Sequence, residues 1–140
     1  MCVMKLSIAT VLALAGLLAV PVATDAAPSQ AWVNSDCLHE HYKPKQIVIA
    51  CADGTETLKS LKWSRWNARE ATGTGRDYVV SCTPDCAAGH RTVYPVTVTL
   101  SKPVSCKGQT HPAFSRAVLR FSKAHPGSKR TETDSLGCPV

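Results

Sequence analysis

Apolar and polar positions alternate most clearly over Tyr94-Pro95-Val96-Thr97-Val98-Thr99-Leu100, with Tyr94, Val96, Val98 and Leu100 on one face and Thr97 and Thr99 on the other. Successive side chains of an extended chain point to opposite faces, so a period of two predicts a strand with one buried and one wet face. Pro95 near its start suits a strand entry or an edge, because proline cannot donate to a ladder. The same period returns from Phe114 to Phe121, with Ala117, Leu119 and Phe121 expected inward and Arg116, Val118 and Arg120 outward. Gln46-Ile47-Val48-Ile49-Ala50-Cys51 is β-branched and apolar on both faces, and predicts a short buried strand. Leu58 to Trp66 fits neither period throughout. Leu61 and Trp63 favour a strand with Trp66 at its end.

Ala68 to Ser81 reads as a hairpin-like pair ending in the strand Tyr78-Val79-Val80-Ser81. Its glycines suggest a bulge or a close backbone approach. Gly73-Thr74-Gly75 lacks the third glycine and the Lys-Ser/Thr pair of a phosphate loop. Turns are expected at Ala52-Asp53-Gly54-Thr55 and at Cys82-Thr83-Pro84-Asp85-Cys86. Ser101 to Pro112 contains Pro103, Gly108 and Pro112 and reads as a long connector. No segment shows the periodicity of an amphipathic helix. The pattern therefore predicts an all-β fold, an antiparallel β-sandwich of six or seven strands over residues 37–122. It is flanked by a flexible N-terminal arm, 27–36, in which Trp32 alone is expected to pack back. A polar tail, 123–140, follows.

The first 26 residues read as a signal peptide: Lys5, an apolar run from Ile8 to Val22, and small residues up to Ala26. The run is too short to be a stable membrane anchor. Its removal would leave one domain's length of chain and the cysteines Cys37, Cys51, Cys82, Cys86, Cys106 and Cys138. An even set in a short exported chain implies disulfides, although six cysteines allow 15 pairings. Cys82 and Cys86 could pair across their turn, Cys37 and Cys51 would close a short loop, and Cys106 with Cys138 would tie the tail to the connector. A zinc site is disfavoured by export and by the lack of a Cys-x-x-Cys pair.

The formal charge is +6 for the chain and stays so after the leader is removed, because Lys5 and Asp25 leave together. Such a charge favours an anionic cell-surface partner, but the basic residues are spread along the sequence. Aromatic and charged residues interleave only at Trp63-Ser64-Arg65-Trp66, too little for specific nucleic-acid recognition. His39 and His41 could share a strand face, but no third ligand has suitable spacing, so no metal or other cofactor is expected.

Several stretches taken together resemble a group of small secreted actinobacterial proteins of unknown function. They are Ile49-Ala50-Cys51-Ala52-Asp53-Gly54, Leu58-x-x-Leu61-x-Trp63-x-x-Trp66, Ala71-Thr72-Gly73-Thr74-Gly75, Cys82-x-Pro84-x-Cys86-Ala87-Ala88-Gly89 and Tyr94 to Leu100. The resemblance covers Cys37 to Phe121. It implies a secreted bacterial protein with Cys37 paired to Cys51 and Cys82 to Cys86, which leaves Cys106 and Cys138 for each other. It brings no activity. The strand at Tyr94 also resembles one in secreted subtilisin inhibitors, whose cysteine spacing differs.

Three functions follow as expectations. The first is a monomeric, non-enzymatic binding domain meeting a protein or an anionic surface, with Trp63, Trp66, Thr83, Pro84 and Asp85 as candidate contacts. The second is a protease inhibitor presenting the braced loop Ser81 to Cys86. The third is a small basic hydrolase such as a ribonuclease. It would use Glu70, His90 and His111 for acid–base work, with Arg91 or Arg116 on an anionic substrate. No catalytic motif supports an enzyme.

Overall fold

The computed structural model describes residues 29–123 and 130–140. The expected signal peptide, the first two residues of the arm and residues 124–129 of the tail lie outside them. The described residues form eight strands and no helix: β1 (Val33–Asn34), β2 (Glu40–His41), β3 (Ile47–Val48), β4 (Glu56–Trp66), β5 (Glu70–Val80), β6 (Arg91–Ser105), β7 (Pro112–Phe121) and β8 (Thr131–Ser135). The fold is all-β and antiparallel. A curled six-stranded meander runs in the order β3-β4-β5-β6-β7-β8, beside a small β1–β2 sheet. Disulfides join Cys37 to Cys51, Cys82 to Cys86 and Cys106 to Cys138.

β4 explains its own irregular pattern. Its register with β5 shifts between Lys59 and Lys62 and again between Trp63 and Arg65. Ser60, at φ 54°, takes up the first shift. Each extra residue resets the alternation. Leu58, Leu61 and Trp66 are therefore all buried despite their uneven spacing. Lys102 in β6 is also at φ 54°, but the register of β6 with β7 is unbroken across it. The strand continues past Pro103, where β7 is its remaining neighbour, so the stretch expected as a connector is strand as far as Ser105.

β5 is one continuous strand rather than a hairpin-like pair. Its glycines admit the large side chains of β4. A Cβ on Gly73 would lie 2.8 Å from the Trp63 ring, and one on Gly75 would lie 2.8 Å from Leu61. The concave face gathers Val96, Val98 and Leu100 of β6 with Ala117, Leu119 and Phe121 of β7 into the core. Both sets were expected inward.

The N-terminal arm is not loose where it is described. Ala31 and Val33 are fully buried, and Asn34 and Ser35 nearly so. Trp32 N–H donates to Pro112 O, Phe114 N–H donates to Trp32 O and Val48 N–H donates to Ser35 O. Residues 32–35 thus bridge β7 to β3, the two sides that the curled sheet brings together. Apolar side chains at Ala31 and Val33 make that bridge part of the core, a contribution too short to register as periodicity. The tail also contributes a strand, since β8 pairs with β7 from Arg120↔Thr131 to Arg116↔Ser135. The disulfide between Cys106 and Cys138 holds the chain beyond it.

Candidate functional site

The outer, convex face of β4–β7 collects cations and threonines. Cross-strand partners share a face, and one row runs Lys62, Thr74, Thr97, Arg120 across four strands. A second row places Lys59 opposite Arg76, and a third places Arg65, Thr72 and Thr99 side by side. Lys62, Thr74, Arg76, Thr97 and Arg120 are exposed. Lys59 extends over the Tyr78 ring, 5.1 Å from its centre. Shallow depressions lie on either side of Thr74, one edged by Ser60, Lys62 and Arg76, the other by Pro95, Thr97 and Arg120. Arg65 at the margin pairs with Glu70.

The carboxylates lie elsewhere. Glu132 and Asp134 are opposite the inward residues Leu119 and Ala117, and Asp77 is fully buried. Together with Glu56 they occupy the concave side at the end of the sheet where β4 begins and β5 ends. Burial of Glu56, reinforced by the charges of Asp77, Asp134 and Glu132, pushes its carboxyl up to about 8. Apart from Glu70 at the margin of the convex face, these anionic and cationic groups are thus segregated to opposite faces of one curled sheet.

At that same end the β5–β6 hairpin closes in the Cys82–Cys86 loop. Residues 81–88 are all exposed. Asp85 Oδ1 accepts the N–H groups of Ala87 at 2.9 Å and Ala88 at 2.8 Å. The base is tied by Ser81 N–H to His90 O and by His90 N–H to Ser81 Oγ. Gly89 is required there, because a Cβ would fall 1.6 Å from Ser81 O. Thr83, Pro84 and Asp85 therefore sit on a self-braced, solvent-facing tip.

No family model, curated protein or solved structure matches this chain.

The other candidate contacts are placed differently. Trp66 is a core residue, 9% exposed, with its indole N–H donated to Ala31 O at 2.8 Å. Trp63 is half-buried, packs edge-on against Trp66 at 4.7 Å and donates its indole N–H to Pro44 O. Both tryptophans close the end of the sheet away from the Cys82–Cys86 tip instead of presenting a ligand surface. Tyr42 and Phe114 extend this aromatic cluster, and Trp32 stacks on His111 at 4.4 Å.

The hydrolase residues are not assembled. Glu70 begins β5 and His90 follows the loop after its end, so they lie roughly 30 Å apart along the strand direction at about 3.3 Å per residue. His111 sits against Trp32, at the opposite end of the sheet from His90. Arg91 stands at the base of the tip, and Arg116 is half-buried on β7. His39 and His41, the latter in β2, make local contacts: His39 Nδ1 lies 3.1 Å from Asp36 Oδ2, and His41 Nδ1 lies 2.7 Å from Ser35 Oγ. Among the described residues, no three His, Cys, Asp or Glu side chains are grouped to hold a metal ion.

The cationic face was the feature missed from sequence. Its residues look scattered because they come from four strands, and β4 carries two register shifts. The alternation Thr72, Thr74, Arg76 and the wet Thr97 and Thr99 were the available signals.

Proposed function

We propose that the chain acts as a secreted, non-enzymatic binding domain that attaches to an anionic partner through the outer face of β4–β7. The observation supporting this most directly is the row Lys62, Thr74, Thr97, Arg120 beside the pair Lys59 and Arg76. Cations on a stiff sheet, interspersed with hydroxyl donors, suit repeated phosphate or carboxylate groups of a polymer or a protein surface. The three disulfides are compatible with an extracellular setting. Retention of the oxidised protein on a phosphate-bearing wall polymer, with a neutral polysaccharide as control, tests the reading. The expected result is binding to the former only, weakened by salt and removed by Lys62→Glu with Arg76→Glu. Equal retention on both, or indifference to those charge reversals, would sink it. Duplex DNA of two unrelated sequences is expected to be held equally weakly.

The tip favours a second reading, a protease inhibitor, because residues 81–88 are exposed and internally braced. Its ring is short, with Cα atoms of Cys82 and Cys86 only 3.8 Å apart, which leaves Thr83, Pro84 and Asp85 to enter a cleft. A panel of subtilisin-, trypsin- and metalloprotease-type enzymes at micromolar inhibitor decides it.

A further inference from the structure

The cations of the outer face are not spread evenly over it. The row of Arg65, Thr72 and Thr99 is quenched at its margin, where Arg65 pairs with Glu70. The exposed cations beyond that row fall into two pairs. Lys62 on β4 and Arg76 on β5 edge one depression with Ser60 and Thr74. Their Cα atoms stand about 8 Å apart, one strand spacing across and two residues along. Arg120 on β7 edges the other depression with Thr97 and Ser122. Arg130 Nη1 donates to Ser122 O at 2.8 Å, which brings a second guanidinium to that rim. None of these four cations belongs to an ion pair among the described residues.

Between the pairs lies a neutral strip. Thr74 and Thr97 are directly opposed on β5 and β6, and both are exposed. Anions seated at the two pairs would be two to three strand widths apart, about 10–14 Å. A single phosphate therefore fills one depression and cannot reach the other. Attraction across that gap is largely screened near 0.15 M salt, where the Debye length is about 8 Å. A ligand that uses both pairs must place an anion at each and join them by an uncharged spacer.

The strip also says what the spacer is. Covering a threonine hydroxyl with hydrocarbon costs free energy unless a hydrogen bond is made. A hydroxylated spacer makes that bond. Bases of single-stranded nucleic acid draw affinity from stacking on aromatic rings. Among the described residues of β4–β7, Tyr78 is the ring in register with this face, and Lys59 already lies over it.

We infer that the outer face takes a phosphodiester-linked polyol chain running across the strands from β4 to β7. One phosphate sits between Lys62 and Arg76, another between Arg120 and Arg130, and the hydroxylated spacer lies over Thr74 and Thr97. This rests on the anionic-partner reading above and adds to it a ligand class, a direction and a minimum length.

The test titrates the oxidised protein with synthetic oligo(glycerol phosphate)s of increasing length in about 0.15 M salt. Affinity is expected to step up about a hundredfold at the length that first spans both pairs, because the second contact becomes intramolecular, and to change little beyond it. Arg120→Ala, an exposed site, should remove the step. Thr74→Val with Thr97→Val keeps the charge and the strand preference. It should weaken the spanning chain about tenfold, the loss of roughly one good hydrogen bond, and leave an alkyl-spaced bisphosphate of equal length unaffected. A smooth rise with each added phosphate, a folded valine variant that binds like the parent, equal binding of a single-stranded oligonucleotide of the same charge, or no binding of any oligomer overturns the proposal. In each of those cases the anionic-partner reading survives if wall-polymer retention is still removed by Lys62→Glu with Arg76→Glu, and falls with the proposal if it is not.

Discussion

Glu56 is held on the concave side of the sheet, where burial and then Asp77, Asp134 and Glu132 raise its carboxyl to about 8 from an ordinary 4.5. A carboxyl whose folded value exceeds its unfolded value stabilises the fold while it keeps its proton. That contribution is complete below about pH 4.5 and is lost as pH rises through about 8. Asp36, whose burial would raise it, is held down at about 2 by the combined N–H groups of Leu38 and His39 and the His39 side chain, so it changes charge only at far lower pH. Thermal melts are therefore expected to show lower stability at pH 9 than at pH 6. Glu56→Gln should flatten that dependence by roughly 1 kcal/mol, a value well below full linkage because the side chain is partly open to screening water. An unchanged slope in the variant would remove Glu56 as its source. Gly73 makes a second residue-scale case. A Cβ there meets both Lys62 O and the Trp63 ring at 2.8 Å. Backbone oxygen cannot swing aside, so Gly73→Ala should destabilise by about 1–3 kcal/mol in denaturant titration. The sequence reading of these glycines as sites of close approach was correct in kind. What it could not supply was the approaching group, because Trp63 reaches Gly73 only through a pairing set by the β4 register.

At the scale of elements, regular strands were legible and irregular ones were not. Tyr94 to Leu100 and Phe114 to Phe121 alternate strictly, and their inward residues were read directly. β4 hid its strand behind two register shifts. β8 hid in a polar tail, because Thr131, Glu132, Thr133 and Asp134 bring no apolar residue to the core. Its inward positions are carboxylates, so hydropathy gives no sign of it, and β8 depends on β7 pairing and on the Cys106–Cys138 clamp. That clamp closes a separation of 32 residues, worth about 4 kcal/mol in the chain-entropy treatment, against about 3 for Cys37–Cys51 with a separation of 14. Cys106→Ser with Cys138→Ser should therefore speed amide exchange across Thr131 to Leu136 while the β4–β6 amides stay protected. Cys82→Ser with Cys86→Ser should loosen the tip alone, because residues 81–88 pack against no core side chain. If the first pair of substitutions unlocked the β4–β6 amides equally, β8 would be part of one cooperative unit with them.

For the whole molecule, one curled sheet separates its charges, with Glu56, Asp77, Glu132 and Asp134 toward the concave side and Lys59, Lys62, Arg76 and Arg120 toward the convex side. The net +6 therefore understates the field over the convex face, since much of the compensating negative charge is turned away from it. Two consequences can be measured together. The convex cations are largely exposed, so reversing Lys62 and Arg120 should leave stability within about 0.5 kcal/mol of the parent. The same reversals should strongly reduce retention on a polyanion. Exposed charges farther apart than about 8 Å are screened near 0.15 M salt, so retention by the parent should fall steeply between low and physiological ionic strength. The reversed variant should start weaker and show a shallower dependence, because fewer counterions are released per binding event. Reversing Asp134 to Lys on the concave side should leave retention nearly unchanged if the face itself makes contact. If that change strengthened retention as much as the convex reversals weakened it, net charge and not the arrangement of the face would govern binding.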